Sequence, residues 1–306
     1  MEQNKFSFKK NEIVTDVRNL TKRDCLACLA QLWDPLGLVT TATIKLGSDL
    51  QELWSVGYVW DETLPGEFQL KWMKNIQTLN QLLTPEFNRK PEPDTAVGFP
   101  EVHGFCDGGE KAYGSVIFLR WKLEHGSYSC IPLMIKAFVA LLKKKLIPRL
   151  ELMGCFSLAR LYSKGKEALA FAEITSCKSV FWMDSQTVLS EFRDTGKYIR
   201  SDSNPADVLT RGAPPEKLKS WMEGPRFLWR PEEEWPKFED DGESKKELKP
   251  NKVKATKPNE PTNCGCIRRI SRHQTSIRQP YFGTLNDILF NLRQSKKNLG
   301  LCLEIY

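Results

Sequence analysis

The chain begins with polar and apolar positions set at helical spacing. Leu26, Leu29 and Trp33 stand at i, i+3 and i+7, the spacing of one helix face. Thr21, followed three residues later by Asp24, predicts a capping box at the start of that helix. Asp34-Pro35-Leu36-Gly37 predicts its end, because proline disfavours helical geometry in the residue before it. A second helix is expected over 41–54 with Ile44, Leu50 and Leu53 inward. A third is expected over 67–83, with Leu70, Met73, Ile76, Leu79 and Leu83 on one stripe. Pro85, Pro91 and Pro93 then predict a linker over 84–95.

After Phe99 the period shortens. Residues 103–107 and 112–120 predict two antiparallel strands joined at Gly108-Gly109, with a third over 128–133. Pro148 fits the first position of a helix that carries Leu150, Met153, Leu158 and Leu161. Further on come a short apolar strand over 179–182, a short helix over 187–192, a strand over 198–200 and a helix over 205–209. The expected organisation is therefore an α/β (α+β) chain: a helical region over 1–95 and a sheet with flanking helices over 96–220. The Pro/Glu/Lys-rich stretch 221–262 reads as a disordered linker, since its densest part, 237–262, has almost no large apolar residue. Residues 263–306 form a short basic tail, in which Thr284 is placed to cap a helix carrying Leu285, Ile288, Leu289 and Leu292.

Composition narrows the classes. Hydrophobic residues make up 41% of the 306, enough for a core. The balance of 45 Lys+Arg against 38 Asp+Glu gives +7, which suits a polyanionic partner without demanding one. No apolar run is long enough for a membrane span and the N-terminus has no apolar signal region. An intracellular protein with nine reduced cysteines is expected. Cys25-Leu-Ala-Cys28 has redox-motif spacing but falls inside an amphipathic helix, so core cysteines are expected. Cys264, Cys266, His273 and Cys302 lack the spacing of a structural zinc site.

Candidate chemistry lies in four acids. Asp107 ends an apolar strand, Glu151 lies in the first turns of a helix, Asp184 follows the strand Val180-Phe181-Trp182-Met183, and Asp207 opens a helix. Acids at strand ends and helix starts of an α/β sheet tend to meet at one sheet edge. Hard divalent cations require carboxylate oxygens, and two of them can activate a water against a phosphodiester. Asp is also a common turn and cap residue, so spacing alone leaves a non-catalytic interaction module open.

Five short sequence words occur in order: His103-Gly-Phe-Cys-Asp107 with Lys111-Ala-Tyr-Gly-Ser115, Ile147-Pro-Arg-Leu-Glu-Leu152, Trp182-Met-Asp-Ser185, and Asn204-Pro-Ala-Asp-Val-Leu-Thr-Arg-Gly212. Together they resemble the RNase H region of BEL/Pao-type LTR retrotransposon pol polyproteins, which overlaps a family labelled Pao retrotransposon peptidase. Phe6-Ser-Phe8, Leu20-Thr-Lys-Arg-Asp24 and Trp33-Asp-Pro-Leu-Gly-Leu-Val39 resemble the thumb/connection segment after the polymerase palm in the same polyproteins. The resemblance implies an RNase H-like mixed five-stranded sheet and an endonuclease that cuts the RNA strand of RNA/DNA hybrids with two Mg²⁺ (or Mn²⁺) ions. It implies that Asp107, Glu151, Asp184 and Asp207 bind the metals, with Asp107 bridging. Ser185 and Asn204 would position that site, and Lys143, Lys144, Lys145 and Arg149 would lie near hybrid phosphates. No small-molecule cofactor and no membrane is implied.

The chain also departs from the pattern. It holds no Tyr-x-Asp-Asp polymerase motif and no integrase core, so a truncated pol fragment without polymerase activity is expected. Asp184 and Asp207 are 23 residues apart (207 − 184), a shortening that reads as an internal deletion of a helix. Arg200 stands where the family usually has proline. A compromised fold, with a catalytically dead nucleic-acid-binding remnant, is therefore the alternative. Asp194-Thr195-Gly196 spells the aspartic-peptidase triplet that the family label suggests, but Arg193 and Lys197 flank it where apolar strand residues belong.

Overall fold

The computed structural model of the 306-residue chain describes residues 5–8, 19–83, 85–140, 146–185, 189 and 196–237. A short strand, β1 (Lys5–Ser7), precedes helix α1 (Lys22–Ala30). The predicted capping box is present at Thr21 and Asp24. Helices α2 (Thr40–Val56) and α3 (Gly66–Leu82) follow, then β2 (Glu86–Asn88), which pairs with β1 inside the stretch expected to be a linker. Strands β3 (Ala96–Gly108), β4 (Ala112–Leu123) and β5 (Tyr128–Val139) form an antiparallel meander. The long helix α4 (Ile147–Phe171), with proline in its first turn, leads to β6 (Lys178–Met183) and β7 (Gly196–Tyr198). Two short helices, α5 (Asp207–Arg211) and α6 (Leu218–Met222), and two 3-10 turns at Arg226–Trp229 and Glu232–Glu234 close the described chain.

The main sheet has the order β5-β4-β3-β6-β7, with β6 and β7 parallel to the central β3. The short Asp184–Asp207 spacing therefore does not cost the sheet its fifth strand. Most of the expected 187–192 helix lies outside the described residues. One face of the sheet (Val102, Cys106, Ile117, Leu119, Trp121) packs on Cys155, Leu158, Leu161 and Leu169 of α4. The other face (Phe105, Val116, Phe118, Val180, Trp182) packs on Leu38, Val39 and Ala42, on Leu209 of α5, on Leu218 of α6, and on Leu228 and Trp235.

Two expected boundaries change in this packing. The helices keep a core of their own around Leu20, Cys25, Leu50, Leu53, Leu64 and Trp72. They nevertheless share the second sheet face with the rest of the chain, so residue 95 is not a break in the hydrophobic core. The joint is local chemistry. Asp34 accepts the amides of Leu38 and Val39 (2.8 Å each), and Gly37 adopts φ +78°. A Cβ at Gly37 would lie 2.2 Å from the Ile135 carbonyl oxygen, so glycine lets the turn dock on β5, where the Ile135 amide donates to the Leu36 carbonyl. The second change is at the far end. Of the expected linker over 221–262, residues 221–237 are packed structure, and the remainder and the 263–306 tail lie outside the described residues.

Residues 226–235 are held by a buried polar chain. Arg120 donates to the carbonyls of Leu228 and Arg230 (2.7 Å each) and to Glu101 (2.8 Å), beneath the Tyr128 and Trp235 rings. Trp182 donates its indole N–H to His103 Nδ1, so His103 Nε2 donates to Glu101. Burial keeps His103 below its ordinary pKa and therefore neutral. Burial pushes Glu101 up, but hydrogen bonds from His103 and Arg120 and the Arg120 charge outweigh it and hold its pKa at about 2.

The inward stripe of α3 also differs from expectation. Leu70 is 63% and Met73 38% exposed, while Trp72, Ile76, Leu79 and Leu82 face inward. Trp72 is the largest side chain available, and burying it sets the rotation of the helix. On α1 the buried positions are Lys22, Cys25 and Cys28, and burial pushes both thiols up, Cys28 to about 11. These are core thiols with little nucleophilic character. Trp72 and Trp121 are core residues, whereas Trp54 and Trp60 are more than a third exposed. No helix among the described residues is long and apolar enough to cross a membrane.

Candidate active site

Three of the four acids reach one end of the sheet on different pieces of chain. Asp107 is the penultimate residue of β3, Asp184 follows β6 directly, and Asp207 opens α5. Because β3 and β6 are parallel neighbours, their C-terminal ends lie side by side. Glu151 comes from the first turns of α4, and the glycine after Asp107 explains how closely it approaches. A Cβ at Gly108 would lie 2.3 Å from the Glu151 amide nitrogen and 2.5 Å from the Leu150 carbonyl oxygen. A Cβ at Gly154 would lie 2.5 Å from the Asp107 carbonyl oxygen. Helix and strand thus touch backbone to backbone. Cys106, Asp107, Glu151, Met183, Asp184 and Ser185 line the resulting open cleft.

Hydroxyls fix the carboxylates. Thr210 donates to Asp107 Oδ2 (2.5 Å), Ser201 to Asp184 Oδ2 (2.6 Å) and Ser185 to Glu151 Oε2 (2.7 Å). Arg211 pairs with Asp207 (2.9 Å) from an exposed position one turn along α5. Asn204 is buried. Its amide donates to the Cys106 carbonyl, and its side-chain oxygen accepts the Ala206 amide (3.0 Å each). The Asn204-Pro205-Ala206 turn is thereby tied to the end of β3, which brings Asp207 beside Asp107.

The acids sense one another. Burial raises Asp107, and the Asp207 charge adds to it against the Thr210 hydrogen bond. Burial raises Asp184, with the Asp107 charge adding and the Ser201 hydrogen bond opposing. Burial raises Asp207, with Arg211 opposing and Asp184 adding. A cluster of oxygen donors whose ionised forms oppose one another suits a hard divalent cation in charge and ligand type. As they stand, no three His, Cys, Asp or Glu side chains among the described residues form a group able to hold an ion, so binding one requires the carboxylates to turn toward one another.

The remaining expected residues divide. Arg149 is exposed in the first turn of α4. Lys143, Lys144 and Lys145 lie outside the described residues, as do Asp194 and Thr195, while Gly196 opens β7. Cys264, Cys266, His273 and Cys302 also lie outside them. Thr210, Ser201 and Arg211 escaped the sequence reading. For Thr210 and Arg211 a signal existed, because they stand three and four residues after Asp207, on the same helix face. Nothing in the local sequence marks Ser201.

A profile of the family described as the Pao retrotransposon-like RNaseH-like domain matches residues 21–185, more than half of the chain. No curated protein matches. Among solved structures, one titled "Structure of the foamy viral protease-reverse transcriptase dRH in complex with ds DNA" is similar at 12% identity and a TM-score of 0.33, over 62% of this chain. The match spans 34% of that protein's length.

Proposed function

The chain belongs to the Pao retrotransposon-like RNaseH-like domain family, and on that premise we propose that it hydrolyses the RNA strand of RNA/DNA hybrids at the Asp107–Glu151–Asp184–Asp207 cleft. The observation that carries the reading is the gathering of four acids from four chain segments at one end of the sheet, with the three Asp raised by burial and by one another. Those four side chains would hold two Mg²⁺ or Mn²⁺ ions, which when bound supply an activated water and stabilise the leaving oxygen. Thr210, Ser201 and Ser185 orient the carboxylates, each by donating a hydrogen bond to one oxygen. Asn204 keeps Asp207 in reach of Asp107. Arg211 holds Asp207 from the solvent side and is exposed enough to move to a phosphate.

The test is cleavage of an end-labelled RNA/DNA hybrid by the full-length protein in Mg²⁺, beside Asp184→Asn. Cleavage abolished by the substitution is expected. A folded wild-type protein that binds the hybrid but does not cut it would favour the catalytically dead remnant instead.

A further inference from the structure

One of the three aspartates differs from the others in what holds it. Asp107 and Asp184 accept from hydroxyls, which are neutral and leave the carboxylate charge in place. Asp207 is held by a guanidinium, with Arg211 Nη2 2.9 Å from its Oδ1. Among the described residues, Arg211 is the one cation within ion-pair distance of Asp107, Asp184 or Asp207. Its charge acts beyond that contact, since it also opposes the rise of Asp107.

The backbone around Arg211 is fixed, and its side chain is not. Thr210 bonds to Asp107 and to the Asp207 carbonyl. The Gly212 amide donates to the Val208 carbonyl and the Ala213 amide to the Thr41 carbonyl of α2 (2.8 Å each). The Arg211 side chain, by contrast, is 73% exposed, against 20% for Asp207. An exposed pair of this kind contributes little to stability, because water and salt screen it. It is therefore easy to open, and α5 keeps its other bonds when it opens.

A divalent ion on Asp207 would sit about 2 Å from a carboxylate oxygen. The guanidinium is on the same carboxylate, and two cations so close repel. The ion and Arg211 therefore compete for Asp207. A displaced guanidinium stays tethered at the edge of the cleft, and its planar fork of donors fits a phosphate. A base-paired hybrid presents its phosphates outward, so that partner is within the chemistry of the substrate.

We propose that Arg211 is an exchangeable counter-cation of the cleft, which neutralises Asp207 until a second divalent ion displaces it and then pairs with a phosphate of the hybrid. The assignment rests on the two-cation reading of the cleft. By linkage, the second ion and the hybrid then strengthen each other's binding.

The experiment titrates the full chain with Mn²⁺, following free ion by electron paramagnetic resonance. Arg211→Ala should bind the weaker Mn²⁺ roughly 3- to 10-fold more tightly at low salt, and less so at high salt. Arg211→Lys, which keeps the charge, should stay near wild type. A residue that merely supported α5 would change affinity in the opposite sense. Hybrid binding gives the second readout, with the RNA strand 2′-O-methylated to resist cutting. With Mn²⁺ present, Arg211→Ala should weaken binding and lower the salt slope by about 1. In chelator it should change neither. Mn²⁺ affinity that is unchanged or weaker in a folded Arg211→Ala protein would overturn the exchange and leave the cleft assignment standing, provided that wild type binds Mn²⁺ and Asp184→Asn binds it less. A wild-type protein that binds no Mn²⁺ would overturn both.

Discussion

The two faces of the sheet are built by different means. The α4 face is closed by one continuous helix whose Leu158, Leu161 and Leu169 meet apolar partners on β3 and β4. The opposite face is closed by pieces from both ends of the described chain: the turn at Leu38 and Val39, α2, α5, α6 and residues 226–235. Its centre is polar, with Arg120, Glu101 and His103 bonded through to backbone carbonyls more than 100 residues away. The first face is held mainly by apolar area, with hydroxyl pairs at Ser115–Ser157 and Tyr162–Ser179 (2.9 Å each) between α4 and the sheet. The second is held by a network in which each member depends on the others. The acids divide along the same line, with Glu151 arriving on α4 and Asp107 and Asp207 meeting through Asn204 and Thr210 on the far side.

That contrast can be broken most sharply at Arg120. Arg120→Ala removes the charged donor from Glu101, which keeps His103, and from the Leu228 and Arg230 carbonyls, and should cost about 3–5 kcal/mol. The double variant Arg120→Met with Glu101→Leu should recover part of that loss. Urea unfolding of wild type and the two variants measures both steps, and an Arg120→Ala protein as stable as wild type would mean that the second face is also held mainly by apolar area. On the α4 side, Gly108→Ala has a smaller expected effect on stability, about 1–3 kcal/mol, because its Cβ would push the first turn of α4 outward. It should remove Mg²⁺-dependent cleavage all the same, since Glu151 moves with that turn. Parallel melts and cleavage assays separate the two effects.

The smallest effect is on pH dependence, and the acid cleft and the buried Glu101 should show opposite signs. Asp107, Asp184 and Asp207 are raised in the folded state, so their ionisation costs stability above their folded pKa values. That cost is relieved as pH falls toward the ordinary carboxylate range. Glu101, held at about 2, contributes stability above its unfolded pKa that is lost as pH falls toward 2. In chelator, the melting temperature should therefore rise from neutral to mildly acidic pH, by about 2–4 °C for each kcal/mol recovered. It should then fall below about pH 4.3, the unfolded Glu value. Asp107→Asn should flatten the rise and leave the acid fall, whereas Glu101→Gln should do the reverse. A divalent cation at neutral pH should replace the proton and raise the wild-type midpoint but not that of Asp107→Asn.

Much of the architecture was legible because it is encoded locally. The Thr21–Asp24 box, the Asp34–Gly37 stop, Pro148 at a helix start and the Gly108-Gly109 junction are each readable within a few residues. The candidate acids were legible for the same reason, as each sits at a strand end or helix start with its own short signature. The phase of α3 was not, because two apolar stripes compete on that helix and the bulk of Trp72 decides between them. Residues 226–235 were not legible either. Their Pro and Glu content reads as solvated chain, and their order comes from Arg120, Lys178 and Lys197, which meet them from distant strands.

The sequence by itself determined the order of the elements from α1 to α3 and from β3 to α5 and the positions of the four candidate acids, since propensity, capping and short motifs act over a few residues. Tertiary structure alone decided that the helical region shares a core with the sheet, that the shortened Asp184–Asp207 segment still delivers a fifth strand, and that Thr210, Ser201 and Ser185 each serve an acid. These are contacts between residues 17 to more than 100 positions apart. A local pattern carries no record of such contacts, because they exist only once the chain has closed on itself.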